Sequence, residues 1–127
     1  IEARLALEWN LMMLGGGGNP AAYHRVGEER LPHDGRGERA GLRAIASGND
    51  YVGLALELRP SEPADAAWFP IETVSNSEAG FERAYQGSCT ILSWPLRLAP
   101  GETRTIRLDA AVGATRDRTR EESGADA

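Results

Sequence analysis

The feature that most constrains the fold is a strict alternation of apolar and polar residues near the start of the chain. Within residues 2–13 every second residue is apolar, and most of the residues between them are polar. A period of two is typical of a β-strand with one buried face. No segment shows the longer period of an amphipathic helix. The alternation therefore predicts an all-β protein.

Further strands follow at intervals along the chain, each bounded by turn residues. Residues 42–47 and 51–59 flank Gly48-Asn49-Asp50, which predicts a hairpin. Strands are also predicted at 67–75, 88–98 and 103–112. Five or more short strands separated by turns indicate an antiparallel β-sandwich. One short helix over 77–86 stays open, because Ser75 and Glu78 have the spacing of a capping box.

The 127 residues suffice for one domain. We expect a sandwich over 1–112, interrupted by a long mobile loop at about 15–40 that is polar and rich in Gly and Arg. The charged stretch 113–127 contains no large apolar residue and is predicted to be disordered. Ile1 already belongs to the first alternating segment, which suggests a piece of a longer chain.

Charge disfavours two classes of partner. Fourteen basic residues, all of them Arg, stand against 19 acidic residues and give a net charge of −5. Such a chain lacks the net basic face that nucleic acid or an anionic membrane attracts. No apolar run approaches the roughly 20 residues of a membrane span. The single cysteine favours a reducing compartment, and we expect a cytoplasmic protein.

Catalytic and metal motifs are weak. Cys89 could pair with His24 or His33 as a nucleophile, but a small apolar residue on a strand is the favoured interpretation. The two histidines lie nine residues apart without metal-ligand spacing, and we expect them to be solvated in the loop. Residues 15–18 are all glycine, yet a phosphate-binding loop needs a lysine and the chain has none. No cofactor or metal is predicted.

Acidic and aromatic residues cluster near the middle of the chain. Glu72, Glu78 and Glu82 fall within eleven residues, which suits acid–base chemistry but is more typical of solvated carboxylates. If Phe69 points inward, its neighbour Trp68 points outward with Glu72. An exposed indole beside a carboxylate could stack on a sugar ring, although packing against another domain is the favoured interpretation. Two further tryptophans, at positions 9 and 94, are expected in the core.

The segment 69–88, FPIETVSNSEAGFERAYQGS, resembles the C-terminal region of glycoside hydrolase family 57, the α-amylase and 4-α-glucanotransferase group. Two flanking segments agree with it, LEWNL at 7–11 and LRLAPGE at 96–102. The resemblance spans residues 5–112.

The resemblance implies a β-sandwich that follows a seven-stranded (β/α) barrel, and it implies half of a larger, galactose-mutarotase-like super-sandwich. It places the catalytic Glu nucleophile and Asp acid/base in the barrel, so no catalytic residue is assigned to this chain. Members of the family retain anomeric configuration, act on α-1,4-glucans and need no metal for the chemistry.

We therefore predict a non-catalytic module that packs on the catalytic barrel of the same polypeptide and shapes one side of the glucan cleft, with direct contact to α-1,4-glucan left open. A free-standing carbohydrate-binding module and a ligand-free structural domain are the alternatives. The contact is predicted within segment 68–86. Its candidate residues are Trp68, Glu72, Glu78, Phe81, Glu82 and Tyr85.

Overall fold

The computed structural model describes residues 1–78 and 80–114 and shows nine β-strands and no helix among them. The all-β prediction is confirmed. The strands are β1 (Glu2–Leu11), β2 (Ala22–Val26), β3 (Glu29–Pro32), β4 (Gly37–Leu42), β5 (Ile45–Asn49), β6 (Leu54–Pro60), β7 (Ala64–Ser77), β8 (Gly80–Arg97) and β9 (Leu108–Ala114).

The strands form two antiparallel sheets that pack face to face. The four-stranded sheet has the order β1-β8-β7-β4, and the five-stranded sheet has the order β3-β2-β5-β6-β9. Aliphatic residues from both sheets and two tryptophans fill the space between them. The buried core consists of Val26, Leu42, Ile45, Leu58, Ala64, Ala66, Trp68, Leu92 and Trp94. The predicted sandwich is confirmed, and so is the core position of Trp94.

The predicted hairpin around Gly48 is confirmed in outline. β5 and β6 pair antiparallel from Ile45 opposite Leu58 to Asn49 opposite Leu54, so the turn lies a few residues later than the sequence suggests. The helix considered over 77–86 does not form. Of the described residues in this range, Ser77 ends β7, Glu78 lies in a turn and residues 80–86 belong to β8, which pairs with β7 as a long hairpin.

Trp68 faces the core, and its predicted exposure is wrong. Only 4% of the residue is exposed, and it lies on the same side of β7 as the buried Ala64 and Ala66. Across the sheet it lies directly opposite Gly37 on β4. A side-chain carbon at Gly37 would come within 2.6 Å of the indole, so the absence of a side chain there is what makes room for the ring.

Strands β2, β3 and β4 occupy much of the segment that the sequence predicts as a loop at about 15–40, and that prediction is wrong from residue 22 onward. β2 and β3 are joined by the two residues Gly27-Glu28, with Gly27 at φ +62°. A two-residue hairpin needs such positive φ values, which glycine adopts without strain. The longest connection that remains is the segment between β1 and β2, which contains the four glycines, and a shorter turn at 33–36 joins β3 to β4.

The alternating face of β1 is only partly covered. Leu5 and Leu7 lie opposite Trp94 and Leu92 on the inner side of the sheet, yet 41% and 38% of these two leucines are exposed. β1 is an edge strand, and the facing sheet does not reach across it fully. The prediction that this face is buried therefore holds only in part.

An apolar groove of about 320 Å³ runs beside the end of β1, toward β6 and β9. Its lining includes Met12, Leu14, Leu54 and Val112, all of which are largely exposed. β9 ends at Ala114, two residues beyond the predicted domain limit. The rest of the tail predicted to be disordered lies outside the described residues.

Candidate functional site: a projecting hairpin and the cleft at its base

The β7–β8 hairpin extends well beyond the rest of its sheet. β1 pairs with β8 only from Ser88 to Arg97, and β4 pairs with β7 only from Ala64 to Trp68. From there to the turn the two strands pair only with each other, and most of their side chains are exposed. A two-stranded ribbon with no further support is marginally stable in water. The projecting part of the hairpin, residues 71–86, is therefore the clearest candidate contact element.

A bulge decides which residues of β8 share a face. Ile71 lies opposite Gly87, but the next residue, Glu72, lies opposite Tyr85, so Gln86 is an extra residue on β8. Gln86 instead donates a hydrogen bond from Nε2 to Thr73 Oγ1 at 3.2 Å. Bulges commonly change the direction of a side chain beside a functional site.

The bulge brings six side chains onto one side of the hairpin, and we call this side the hairpin face. It continues the inner face of the four-stranded sheet past the edge of the sandwich, because its β7 residues follow Trp68 in steps of two. Without the bulge, β8 would present Gln86, Ala84 and Glu82 there instead. The hairpin face consists of Glu72, Val74, Asn76, Phe81, Arg83 and Tyr85.

The predicted contact residues divide among four positions. Glu72, Phe81 and Tyr85 lie on the hairpin face, whereas Glu82, opposite Ser75, lies on the other side. Glu78 lies in the turn of the hairpin. Trp68 lies in the core. The structure thus brings together three of the six predicted contact residues. Glu72 and Glu82 are on opposite sides of the ribbon and form no catalytic pair.

The hairpin face carries two large apolar side chains toward its tip, where Asn76 lies opposite Phe81, and it is polar toward its base. Val74 and Phe81 are 60% and 79% exposed. Nearer the sandwich, an open cleft of about 500 Å³ is lined by Glu72, Arg83 and Tyr85 of the hairpin and by Asp34. Residues 15–18, which we call the glycine segment, also line it through Gly16 and Gly17. Sequence analysis missed Asp34 and Arg83, which no motif distinguishes from other charged residues.

The glycine segment forms the opposite wall of this cleft. The Gly18 N–H donates a hydrogen bond to Asp34 Oδ2 at 2.8 Å. A side-chain carbon at Gly17 would lie 3.5 Å from the Tyr85 Cβ and 3.6 Å from Asp34 Oδ2. The backbone therefore passes close to both side chains, and the cleft has a defined second wall.

Tyr85 is held in place by Ser88 and His33. Its hydroxyl is 2.5 Å from Ser88 Oγ, which in turn donates to the His33 carbonyl oxygen at 2.6 Å. The ring meets the His33 imidazole edge to face at 4.7 Å between centroids. Burial raises the pKa of the Tyr85 phenol above its usual range, so the ring stays neutral near pH 7.

Both histidines are buried, and the prediction that they are solvated is wrong. His24 Nδ1 lies 2.7 Å from Ser47 Oγ, and the His24 ring also interacts with the backbone of His33. Within residues 1–78 and 80–114, neither ring nitrogen of His33 has a hydrogen-bond partner. Burial lowers the pKa of His24 to about 4 and also lowers that of His33. Because burial penalises the charged imidazolium, both rings are neutral in the folded protein near pH 7.

Cys89 is fully buried on β8, as predicted for a small core residue. Its Sγ lies 3.3 Å from Glu8 Oε1. Burial and this carboxylate together raise the pKa of the thiol to about 11. Since the thiolate is the reactive form, the geometry disfavours the nucleophile interpretation.

Two further site types find no support in residues 1–78 and 80–114. No three His, Cys, Asp or Glu side chains converge there as metal ligands would. In the same part of the chain, no helix has the length and apolar character of a membrane span.

Comparison with known proteins identifies the family. The model of the alpha-amylase/4-alpha-glucanotransferase C-terminal family matches residues 1–108. The chain belongs to this family. The match confirms the resemblance to the C-terminal region of these enzymes and includes every strand up to the start of β9.

One curated relative of this C-terminal family module is Alpha-amylase 1 of Dictyoglomus thermophilum. It is 39% identical over 92 residues, which cover 70% of this chain and 13% of the relative. The chain therefore corresponds to a small part of that protein. No solved structure shows significant similarity to the chain.

Proposed function

We propose that this chain is a non-catalytic module of an α-amylase or 4-α-glucanotransferase polypeptide, and that its hairpin face packs on the catalytic domain and borders the glucan cleft. The proposal rests on the family and on one structural observation. That observation is a two-stranded hairpin with apolar side chains exposed at its tip.

The two sides of the hairpin differ in a way that favours one of them as the contact. Toward the tip the hairpin face carries Val74 and Phe81 beside Asn76, whereas the other side carries Thr73, Ser75 and Glu82 there. The large apolar residue of that other side, Ile71, lies at the base and is 37% exposed. Exposed aromatic and aliphatic side chains with a polar surround are typical of protein–protein contacts. Docking of the hairpin face would bury Phe81 and would supply the support that a lone ribbon lacks.

The edge of the sandwich at β1, which we call the open edge, supports the same function independently. The apolar groove beside β1 and the half-covered Leu5 and Leu7 expose additional apolar surface. A module that packs against a larger domain would bury this apolar surface, whereas a free-standing binding module would expose it to water. We propose that this edge also faces the rest of the polypeptide.

The alternatives lose their main support. The free-standing carbohydrate-binding module depended on an exposed Trp68, which is buried. A structural domain without ligand agrees with the hairpin and with the open edge, but it leaves the polar cleft unexplained.

Exchanging Phe81 for Asp is expected to weaken docking by about thirtyfold or more. Buried aromatic residues contribute much of the binding free energy of many interfaces. Loss of one costs about 2 kcal/mol or more of binding free energy, which is about thirtyfold in affinity. The measurement is biolayer interferometry of the 127-residue chain on the separately produced catalytic domain of the same polypeptide.

Thr73→Asp is the matched control. It places the same carboxylate on the other side of the same hairpin, and that carboxylate can still accept the hydrogen bond of Gln86 that Thr73 accepts. The affinity of this variant should stay within about twofold of the unmodified chain. Equal losses in both variants, or undiminished binding by Phe81→Asp, would contradict the proposal.

A further inference from the structure

We propose that the cleft at the base of the hairpin binds a neutral sugar ring of an α-1,4-glucan chain, so that the module contributes a glucan contact of its own. The inference rests on the proposed function for the choice of glucan. Its structural basis is a set of side chains and backbone that the fold brings together from three separate parts of the chain.

Three chain segments form the cleft. The glycine segment contributes Gly16 and Gly17, the turn after β3 contributes Asp34, and the hairpin contributes Glu72, Arg83 and Tyr85. The volume of about 500 Å³ falls within the roughly 300–1,000 Å³ of clefts that bind small ligands. The glycines leave backbone close to the ligand space without side chains to fill it.

The side chains that line the cleft have the donors and acceptors that sugar hydroxyls need. The carboxylates of Asp34 and Glu72 accept hydrogen bonds, and the Arg83 guanidinium donates them. The side chains of Glu72 and Arg83 form no hydrogen bond or ion pair with the rest of the described chain, so both are free to bind a ligand. Tyr85 adds an aromatic ring, with which the apolar face of a sugar ring can pack.

The charge of the cleft favours a neutral ligand. Its two carboxylates and one guanidinium give a formal net charge of −1. A net negative charge disfavours phosphate and other anions, whereas a polyhydroxyl ligand without charge is tolerated. The charge therefore weighs against the phosphate interpretation of the glycine segment on grounds that are independent of the missing lysine.

Two of the side chains that line the cleft are held in place before a ligand binds. Asp34 is fixed by the Gly18 N–H, and Tyr85 is fixed by Ser88 and by the buried His33 ring. The bulge at Gln86 is what places Tyr85 and Arg83 on the same side as Glu72. Groups held in place before binding lose less conformational entropy when the ligand arrives.

The test is a titration of the isotopically labelled 127-residue chain with maltopentaose, followed by amide chemical shifts. We expect saturable shifts at Gly16, Gly17 and Tyr85. Glu72→Ala and Arg83→Ala should each weaken binding about tenfold, because each removes a hydrogen bond of a charged group. Glu82→Ala removes a carboxylate from the opposite side of the same hairpin and should bind as the unmodified chain does.

Four results would overturn the inference. They are the absence of saturable shifts, shifts confined to the apolar groove beside β1, equal weakening by all three alanine variants, and displacement of the sugar by inorganic phosphate. The titration contains no catalytic domain, so its failure leaves hairpin docking standing. Conversely, Phe81→Asp should still bind maltopentaose while its docking is weakened, which separates the two proposals.

Discussion

Replacing Trp68 by Ala is expected to destabilise the protein by about 3–5 kcal/mol, the range measured when a buried aromatic side chain is removed and a cavity remains. Trp68 is 4% exposed and belongs to the core formed by both sheets. Because domains of this size are stabilised by only about 5–15 kcal/mol, the loss is a large fraction of the total. Urea unfolding followed by circular dichroism measures it without relying on the removed fluorophore.

Val74→Ala is the matched control on the same strand. Val74 is largely exposed on the hairpin, and its truncation should change the free energy of unfolding by less than about 0.5 kcal/mol. Trp68→Phe keeps part of the ring volume and should fall between the two. If Trp68→Ala cost no more than Val74→Ala, the indole would have to be exposed and the core described above would be wrong.

Acidification from pH 7 to pH 5 is expected to cost about 2 kcal/mol of stability through His24 alone. The pKa of His24 is about 4 in the folded protein and 6.5 in the unfolded chain. The unfolded state therefore binds the proton first, and stability is lost as the pH falls from 6.5 toward 4. His33, whose pKa is also lowered by burial, adds a loss in the same direction.

The groups around the two imidazole rings explain why both pKa values are lowered. Burial is the largest effect on the pKa of His24, and the hydrogen bond to the His33 backbone offsets only part of it. Burial is also the largest effect on His33, and the carboxylate of Asp34 offsets only part of it. Urea unfolding at both pH values measures the expected loss.

His24→Gln provides the control, because an amide retains a partner for Ser47 but does not titrate. The free energy lost between pH 7 and pH 5 should be about 2 kcal/mol smaller in this variant than in the unmodified chain. Equal losses in both proteins would show that His24 already binds a proton in the folded state, and its burial would then be refuted.

The sequence predicted the strands whose residues alternate clearly. β1, the β5–β6 hairpin and the core tryptophan of β8 follow from a period of two and from glycine-containing turns. The same reasoning failed for β2–β4, where polar residues such as His24 occupy buried positions and the connecting turn is only Gly27-Glu28. Alternation cannot be recognised when the buried member of a pair is a histidine.

The candidate site was predictable in position but not in orientation. The acidic and aromatic residues of 68–86 pointed to this segment, and the structure places them on one long hairpin. Alternation alone cannot decide which face of β7 is inward, and Trp68 was assigned to the wrong one. The bulge at Gln86 has no sequence signature, and only tertiary structure brings Asp34 and the glycine segment to the cleft.

Hydrogen exchange of the hairpin tests the central claim most directly, namely that the hairpin face packs on a catalytic domain. The measurement compares amide exchange of residues 72–86 in the 127-residue chain alone and in the presence of the catalytic domain of the same polypeptide. We expect rapid exchange near the tip in the isolated chain and at least about tenfold slower exchange once the hairpin is docked. Phe81→Asp should remove that protection. Equal exchange of the hairpin with and without the catalytic domain would contradict the account.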